Sequence, residues 1–204
     1  MLRPCAPRYP TGCFGLAPSL YSPAASRRTG AVDRIVRGFD VGTYTDAPLR
    51  ADCLALLEAP PARIFEVISD HTKLFLWLPL VSDSTVSRRH ALQRDGVSTV
   101  RWLHLGPFTV QEYIVASHPP HLLASSIEES EFIVDHVALQ SLSAERHGGT
   151  WLRWRAWFRT TTLAPLSAPL AGLAMTLLFR SALSNLIREF GGRPGGHGEK
   201  GLET

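Results

Sequence analysis

Arg101 and Glu112 are the pair of residues whose spacing carries the most chemistry. If Gly106-Pro107 is a two-residue hairpin loop, Leu105 faces Phe108, Leu103 faces Val110 and Arg101 faces Glu112. The period of two puts all six on one face, and four of them are apolar, so that face points inward and Trp102, His104, Thr109 and Gln111 point away. Two charges taken out of water are costly, so such a pair either fixes register as a partly solvated salt bridge or marks a cavity that holds water or the polar end of a ligand. In an enzyme the same residues would work differently: Glu112 or Asp135 as general base, Arg101 stabilising a developing enolate.

Further candidates are weaker. Asp135 falls in phase with Ile133, Val137 and Leu139 and would enter the same interior as a third polar group, with His136 facing out; the opposite phase is also open. His104, His118, His121 and His147 fall on outer faces or turns and form no metal-site spacing, so no metal and no cofactor is expected. Gly196-His197-Gly198-Glu199-Lys200 lacks the phosphate-loop spacing, and neither GxSxG nor HExxH occurs. Cys53 reads as a small core residue, and no catalytic nucleophile can be paired with a base.

The elements that must position these groups begin near Ala51. Leu54 to Leu57 read as a strand that ends at Glu58-Ala59-Pro60-Pro61. Pro61 suits a first helical turn, Ile64, Phe65 and Ile68 recur at helical spacing, and a second short helix follows over 71–78 until Pro79. Alternating segments at 85–89, 97–105, 108–116, 122–127, 133–142 and 150–161 predict six consecutive strands in an antiparallel sheet. In the last of these Leu152, Trp154, Ala156 and Phe158 face inward; Trp151, Arg153, Arg155, Trp157 and Arg159 form a solvated outer row, paired with acidic neighbours such as Glu128 or Glu129. A long helix closes the chain between Ser167 and Gly191. Met175, Leu178, Phe179, Ala182, Leu183, Leu186 and Phe190 make its inner stripe, opposite Thr176, Arg180, Ser184 and Arg188. Its first half is uncharged but holds Pro165 and Pro169, which argues against a membrane span and leaves Leu170, Leu173 and Leu177 as a gate or a lip for transient membrane contact.

The 204 residues are 45% hydrophobic and 19% charged and include five Trp, which suits one domain that folds without disulfides or metal. Three cysteines give no disulfide framework, so a reducing, cytoplasmic setting is expected. The net charge of +3 arises before the core: residues 1–50 hold seven Arg against three Asp, and residues 51–190 hold twelve basic against thirteen acidic groups. Nucleic acid is therefore not an expected partner. Residues 1–48 are rich in Pro, Ala, Ser and Arg and read as a disordered leader; their start resembles an organelle transit peptide in composition but lacks the apolar run of a secretory signal. The domain is expected over 49–190, with a flexible Gly-rich tail over 191–204.

The order strand, two short helices, antiparallel meander, long C-terminal helix resembles the START/Bet v1-like (SRPBCC) superfamily, specifically its bacterial polyketide cyclase/dehydrase and lipid-transport group. The resemblance rests on Glu58 to Asp70, Trp77-Leu78-Pro79, Val100-Arg101, Glu112-Tyr113-Ile114, the His118-Pro119-Pro120 turn, and Gly149-Thr150 leading to Trp154. It implies an α+β helix-grip fold, a curved sheet around the last helix with an apolar cavity between them. It further implies binding or transport of a hydrophobic lipid, quinone or polyketide-like molecule, or alternatively cyclase/dehydratase chemistry; the family's aromatase and cyclase signatures have no match here. Arg101 and Glu112 are expected to orient a ligand's polar end, with Leu103, Val110, Ile114, Asp135, Trp154, Phe158, Phe179 and Leu183 around it. Replacing Arg101 with Ala is expected to weaken binding without unfolding the domain. A third reading makes the outer Trp151 to Trp157 row a protein-interaction surface.

Overall fold

A computed structural model describes residues 34–88, 96–130, 132–162 and 167–196. A short hairpin of β1 (Ile35–Val36) and β2 (Phe39–Asp40) runs into a 3-10 turn at Val41–Thr43. Then come β3 (Leu49–Leu57), α1 (Pro61–Ser69) and a 3-10 turn at Leu74–Leu76. The meander follows as β4 (Asp83–Arg88), β5 (Val100–Leu105), β6 (Phe108–His118), β7 (Leu122–Glu129), β8 (Ile133–Ala144) and β9 (Thr150–Thr160). The chain then forms α2 (Ala168–Phe190) and β10 (Gly192–Pro194). The large sheet is eight-stranded in the order β10-β3-β9-β8-β7-β6-β5-β4, and every pairing in it is antiparallel.

From β4 to β9 each strand pairs with its sequence neighbour, which is what short connections impose. The β3–β9 pairing, Cys53 opposite Trp154, joins the two ends of the domain. The six predicted meander strands are present with ends shifted by a few residues; Arg89, the predicted end of the first, lies outside the described residues.

Both helices form where proline and periodicity place them. Pro61 opens α1, where its missing N–H is no loss, and Ile64, Phe65 and Ile68 are buried. The second of the two predicted short helices shrinks to the 3-10 turn at Leu74–Leu76. Asp70 explains why: its carboxylate accepts from the backbone N–H and the hydroxyl of Thr72, an arrangement that competes with helical bonding, and Pro79 forbids extension on the other side. Helix α2 is about 34 Å long at about 1.5 Å per residue. It ends at Gly191, whose φ of 76° lies in the left-handed region. Gly172 lets its first half approach β3 closely, because a Cβ there would stand 3.0 Å from the Arg50 carbonyl oxygen.

Two cores lie on opposite faces of the sheet. On the helix side Ile64, Phe65, Ile68 and Leu74 meet Leu103, Ile114, Leu152, Phe158 and the α2 stripe of Phe179, Ala182, Leu183 and Leu186. On the other side Val36, Phe39, Val41 and Ala47 cover Ala116, Leu122, Ala124, Val137, Leu139 and Trp157. This second core corrects two expectations. Residues 34–48 are not part of a disordered leader: they form a strap, with Arg34 donating to the carbonyls of Thr45 and Ala47. Residues 1–33 lie outside the described residues.

The outer row of β9 is likewise not a solvated face throughout. Trp157 is fully buried beneath the strap and Arg155 is only 1% exposed, its guanidinium 5.5 Å from the Trp157 ring centre. Arg153 pairs with Asp52, and Arg159 with Asp46 and Asp135. At the C-terminus, 192–194 join the sheet as β10 instead of continuing as a loose tail; Gly192 permits it, since a Cβ there would collide with the Leu56 carbonyl. Residues 197–204 lie outside the described residues.

Candidate functional site: an apolar cavity with a buried ion pair

Between the sheet and α2 lies a cavity of about 210 Å³. Leu103 and Leu105 of β5, Val110 of β6, Leu123 and Ile127 of β7, and Ile133 and Ala138 of β8 supply its sheet wall. Met175, Leu178 and Phe179 of α2 close it, with Ile68, Trp77 and Leu78 from the α1 side. An aromatic group forms one side. Trp154 stacks on Phe179 with ring centres 3.9 Å apart and planes 11° from parallel, and Trp77 tilts against Trp154 at 5.8 Å.

The polar end is built on the β5–β6 hairpin in the register expected from its loop, Arg101 opposite Glu112 and Leu103 opposite Val110. Both charged side chains are 8% exposed. Arg101 donates from Nε at 2.7 Å and contacts the same carboxylate oxygen, Oε2, through Nη2 at 2.6 Å. Its Nη1 donates to His71 Nδ1 at 2.5 Å, so that ring nitrogen carries no proton. The second Glu112 oxygen accepts from the Ser125 hydroxyl. His71 is fully buried, and its carbonyl is held by the Ser84 hydroxyl at 2.7 Å. The guanidinium is thus engaged by protein groups at all three nitrogens.

On the facing strand His136 and Gln140 line the cavity, and both are buried. Burial pushes the His136 ring down to about 4, against a small opposing pull from the Glu112 charge, so it is neutral at pH 7. The Ile127 backbone N–H donates to its Nδ1 at 3.3 Å, which places the ring proton on Nε2.

The residues expected at the site separate into three groups. Arg101, Glu112, Leu103, Val110, Trp154 and Phe179 line the cavity. Ile114, Phe158 and Leu183 lie in the core beside it. Asp135 faces the other way, half-exposed, with Arg159 2.5 Å from its carboxylate. The cause is a bulge in β8. Val134 pairs with Arg159 but Val137 with Trp157, so Asp135, at φ 53°, and His136 stand opposite Phe158 alone, and the inward phase passes to His136, Ala138 and Gln140. Sequence reasoning does not reach His71, Ser125, Gln140 and Trp77, and it reaches His136 only through the alternative phase of this strand that it leaves open. A positive-φ Asp gives no pattern to read in a strand, and His71 arrives from a segment with helical spacing. Phe108, expected inside, is 58% exposed at the hairpin tip and meets Phe132 edge-on. Among the described residues no group of His, Cys, Asp and Glu is arranged to hold a metal.

A long C-terminal helix gripped by an antiparallel sheet, with an apolar cavity between them, defines a START-like helix-grip domain. The chain belongs to the polyketide cyclase / dehydrase and lipid transport family, whose profile matches residues 55–191. Solved structures of the same fold include the protein XoxI from Bacillus cereus, 16% identical, covering 69% of this chain and 94% of its own with a TM-score of 0.56. A Thermobifida fusca protein is 20% identical over 69% of this chain and 92% of its own, TM-score 0.58. A START superfamily protein from Mycobacterium smegmatis is 11% identical over 68% and 91%, TM-score 0.52. No curated protein matches the chain.

Proposed function

We propose that the domain binds or carries a hydrophobic small molecule in the cavity between the sheet and α2. The observation that carries this reading is a largely apolar cavity whose one ion pair is internally satisfied. Glu112 is engaged at both oxygens, Oε2 by Arg101 and Oε1 by the Ser125 hydroxyl, so neither is turned free toward a ligand. That supports binding over the cyclase or dehydratase alternative, in which Glu112 would abstract a proton; Asp135, the other candidate base, lies outside the cavity.

The α2 segment that faces the cavity with Met175, Leu178 and Phe179 presents Leu170, Leu173 and Leu177 outward, each more than half exposed. We read this uncharged edge as a point of transient contact with a lipid surface, where an apolar cargo enters and leaves. Native mass spectrometry of the purified full chain, followed by organic extraction, tests the main reading. A stoichiometric apolar molecule is expected. An empty protein that also takes up no lipid, quinone or polyketide from a panel would overturn it.

A further inference from the structure

The cavity wall holds more hydrogen-bond donors than acceptors. His136 lines it as a neutral ring whose proton sits on Nε2, and that N–H has no partner among the described residues. The Gln140 carboxamide lines it without a hydrogen bond among the described residues, directly across the ladder from Trp154. The indole N–H groups of Trp77 and Trp154, residues of the same lining, are buried without an acceptor. An unpaired donor shielded from bulk water is costly, so the His136 N–H and the Gln140 carboxamide on the cavity wall call for an acceptor that the protein does not supply.

The charges argue for what that acceptor is not. Arg101 and Glu112 are the charged residues of the lining, and they neutralise each other. An anionic headgroup would therefore be desolvated without a free cation to meet it. The stacked Trp154–Phe179 pair and the tilted Trp77 offer flat faces suited to a flat partner.

Resting on the cavity reading above, we propose that the site selects a neutral, flat, apolar molecule that carries a carbonyl oxygen. The His136 and Gln140 side chains hold that oxygen through N–H donors, and Arg101 makes no ion pair with the ligand. Both Gln140 and His136 act by touching the ligand; Arg101 acts by holding Glu112 and His71 in place.

Three probes of one ring system test this on the full chain by equilibrium dialysis: 2-acetylnaphthalene, 2-ethylnaphthalene and 2-naphthoate. The ketone is expected to bind about tenfold more tightly than the hydrocarbon, the gain of one good hydrogen bond to an otherwise orphaned donor, and naphthoate is expected to bind weakest. In Gln140→Leu and, separately, His136→Phe, the ketone's advantage should shrink while the hydrocarbon still binds. Equal affinity for ketone and hydrocarbon in the unaltered chain would overturn the proposal and leave the cavity reading standing. Tightest binding of naphthoate would overturn it in favour of Arg101 as an anion anchor. Failure of all three to bind would overturn both readings.

Discussion

Replacing Arg101 with Met removes three contacts at once: two to Glu112 Oε2 and one to His71 Nδ1. Glu112 would keep only the Ser125 hydroxyl in a site where its side chain is 8% exposed. Breaking a buried pair by removing one partner costs about 3–5 kcal/mol, because the remaining charge is uncompensated. Protonation of the orphaned carboxyl bounds the charge part of that loss. A carboxyl of ordinary pKa, about 4.3, costs about 4 kcal/mol to hold protonated at pH 7 and about 1 kcal/mol at pH 5. The destabilisation by Arg101→Met should therefore be about 3–4 kcal/mol at pH 7 and fall by more than half at pH 5. The double variant Arg101→Met, Glu112→Leu should recover most of it, since two apolar side chains leave no charge behind. Urea unfolding followed by tryptophan fluorescence at both pH values reads all three quantities. A single variant within about 1 kcal/mol of the unaltered chain at pH 7, or an equal loss at both pH values, would refute the reasoning. The expectation for Arg101→Ala changes accordingly: it would cost stability as well as binding, and any loss of affinity must be measured on the fraction that stays folded.

Three more outcomes follow from the same packing. The native state resists protonating His136 until about pH 4 while the unfolded chain takes up that proton near 6.5, so stability is lost as pH falls through this window, by about 3 kcal/mol at its lower end. His136→Phe should remove that share of the acid sensitivity, and unchanged pH slopes in urea unfolding would contradict the assignment. Trp157→Ala, which empties the core beneath the 34–48 strap, should cost about 3–5 kcal/mol and expose the strap to limited proteolysis; a loss below about 1 kcal/mol would mean the strap does not seal that face. Changing Leu170, Leu173 and Leu177 together to Gln should abolish co-flotation with phospholipid vesicles and leave extracted cavity ligand unchanged, whereas co-flotation equal to that of the unaltered chain would remove α2 from the membrane reading.

Local period and loop length make part of this molecule legible in its sequence. A two-residue loop sets the register of its own hairpin, so the pairing of Arg101 with Glu112 follows from the loop alone, and the α2 stripe from Met175 to Phe190 follows from a spacing of 3.6. Features that depend on distant chain are hidden. Arg155 and Trp157 alternate with apolar neighbours as an exposed row would, yet both are buried, and it is a strap from more than a hundred residues earlier that takes Trp157 into a second core. His71 belongs to a segment with helical spacing, yet the Asp70 side chain diverts that segment into turns and brings the imidazole to Arg101.

The bulge in β8 ties these hidden features to the site. Without it, Asp135, Val137 and Leu139 would face the cavity, putting a third charge into a largely apolar space with one cation already engaged. One extra residue exchanges that row for His136, Ala138 and Gln140 and sends Val137 and Leu139 to the second core. The strap holds the irregular point from behind: Thr45 donates its hydroxyl to the Asp135 carbonyl at 2.8 Å, and Arg159 bridges Asp135 to Asp46. Exposed ion pairs of this kind contribute little energy on their own. The Thr45 bond is different, because it satisfies a carbonyl at the irregular point of the ladder, where regular strand pairing is interrupted. The donors that face the cavity thus owe their orientation to a segment on the opposite face of the sheet, and the strap is as much a part of the site's construction as the strands that line it.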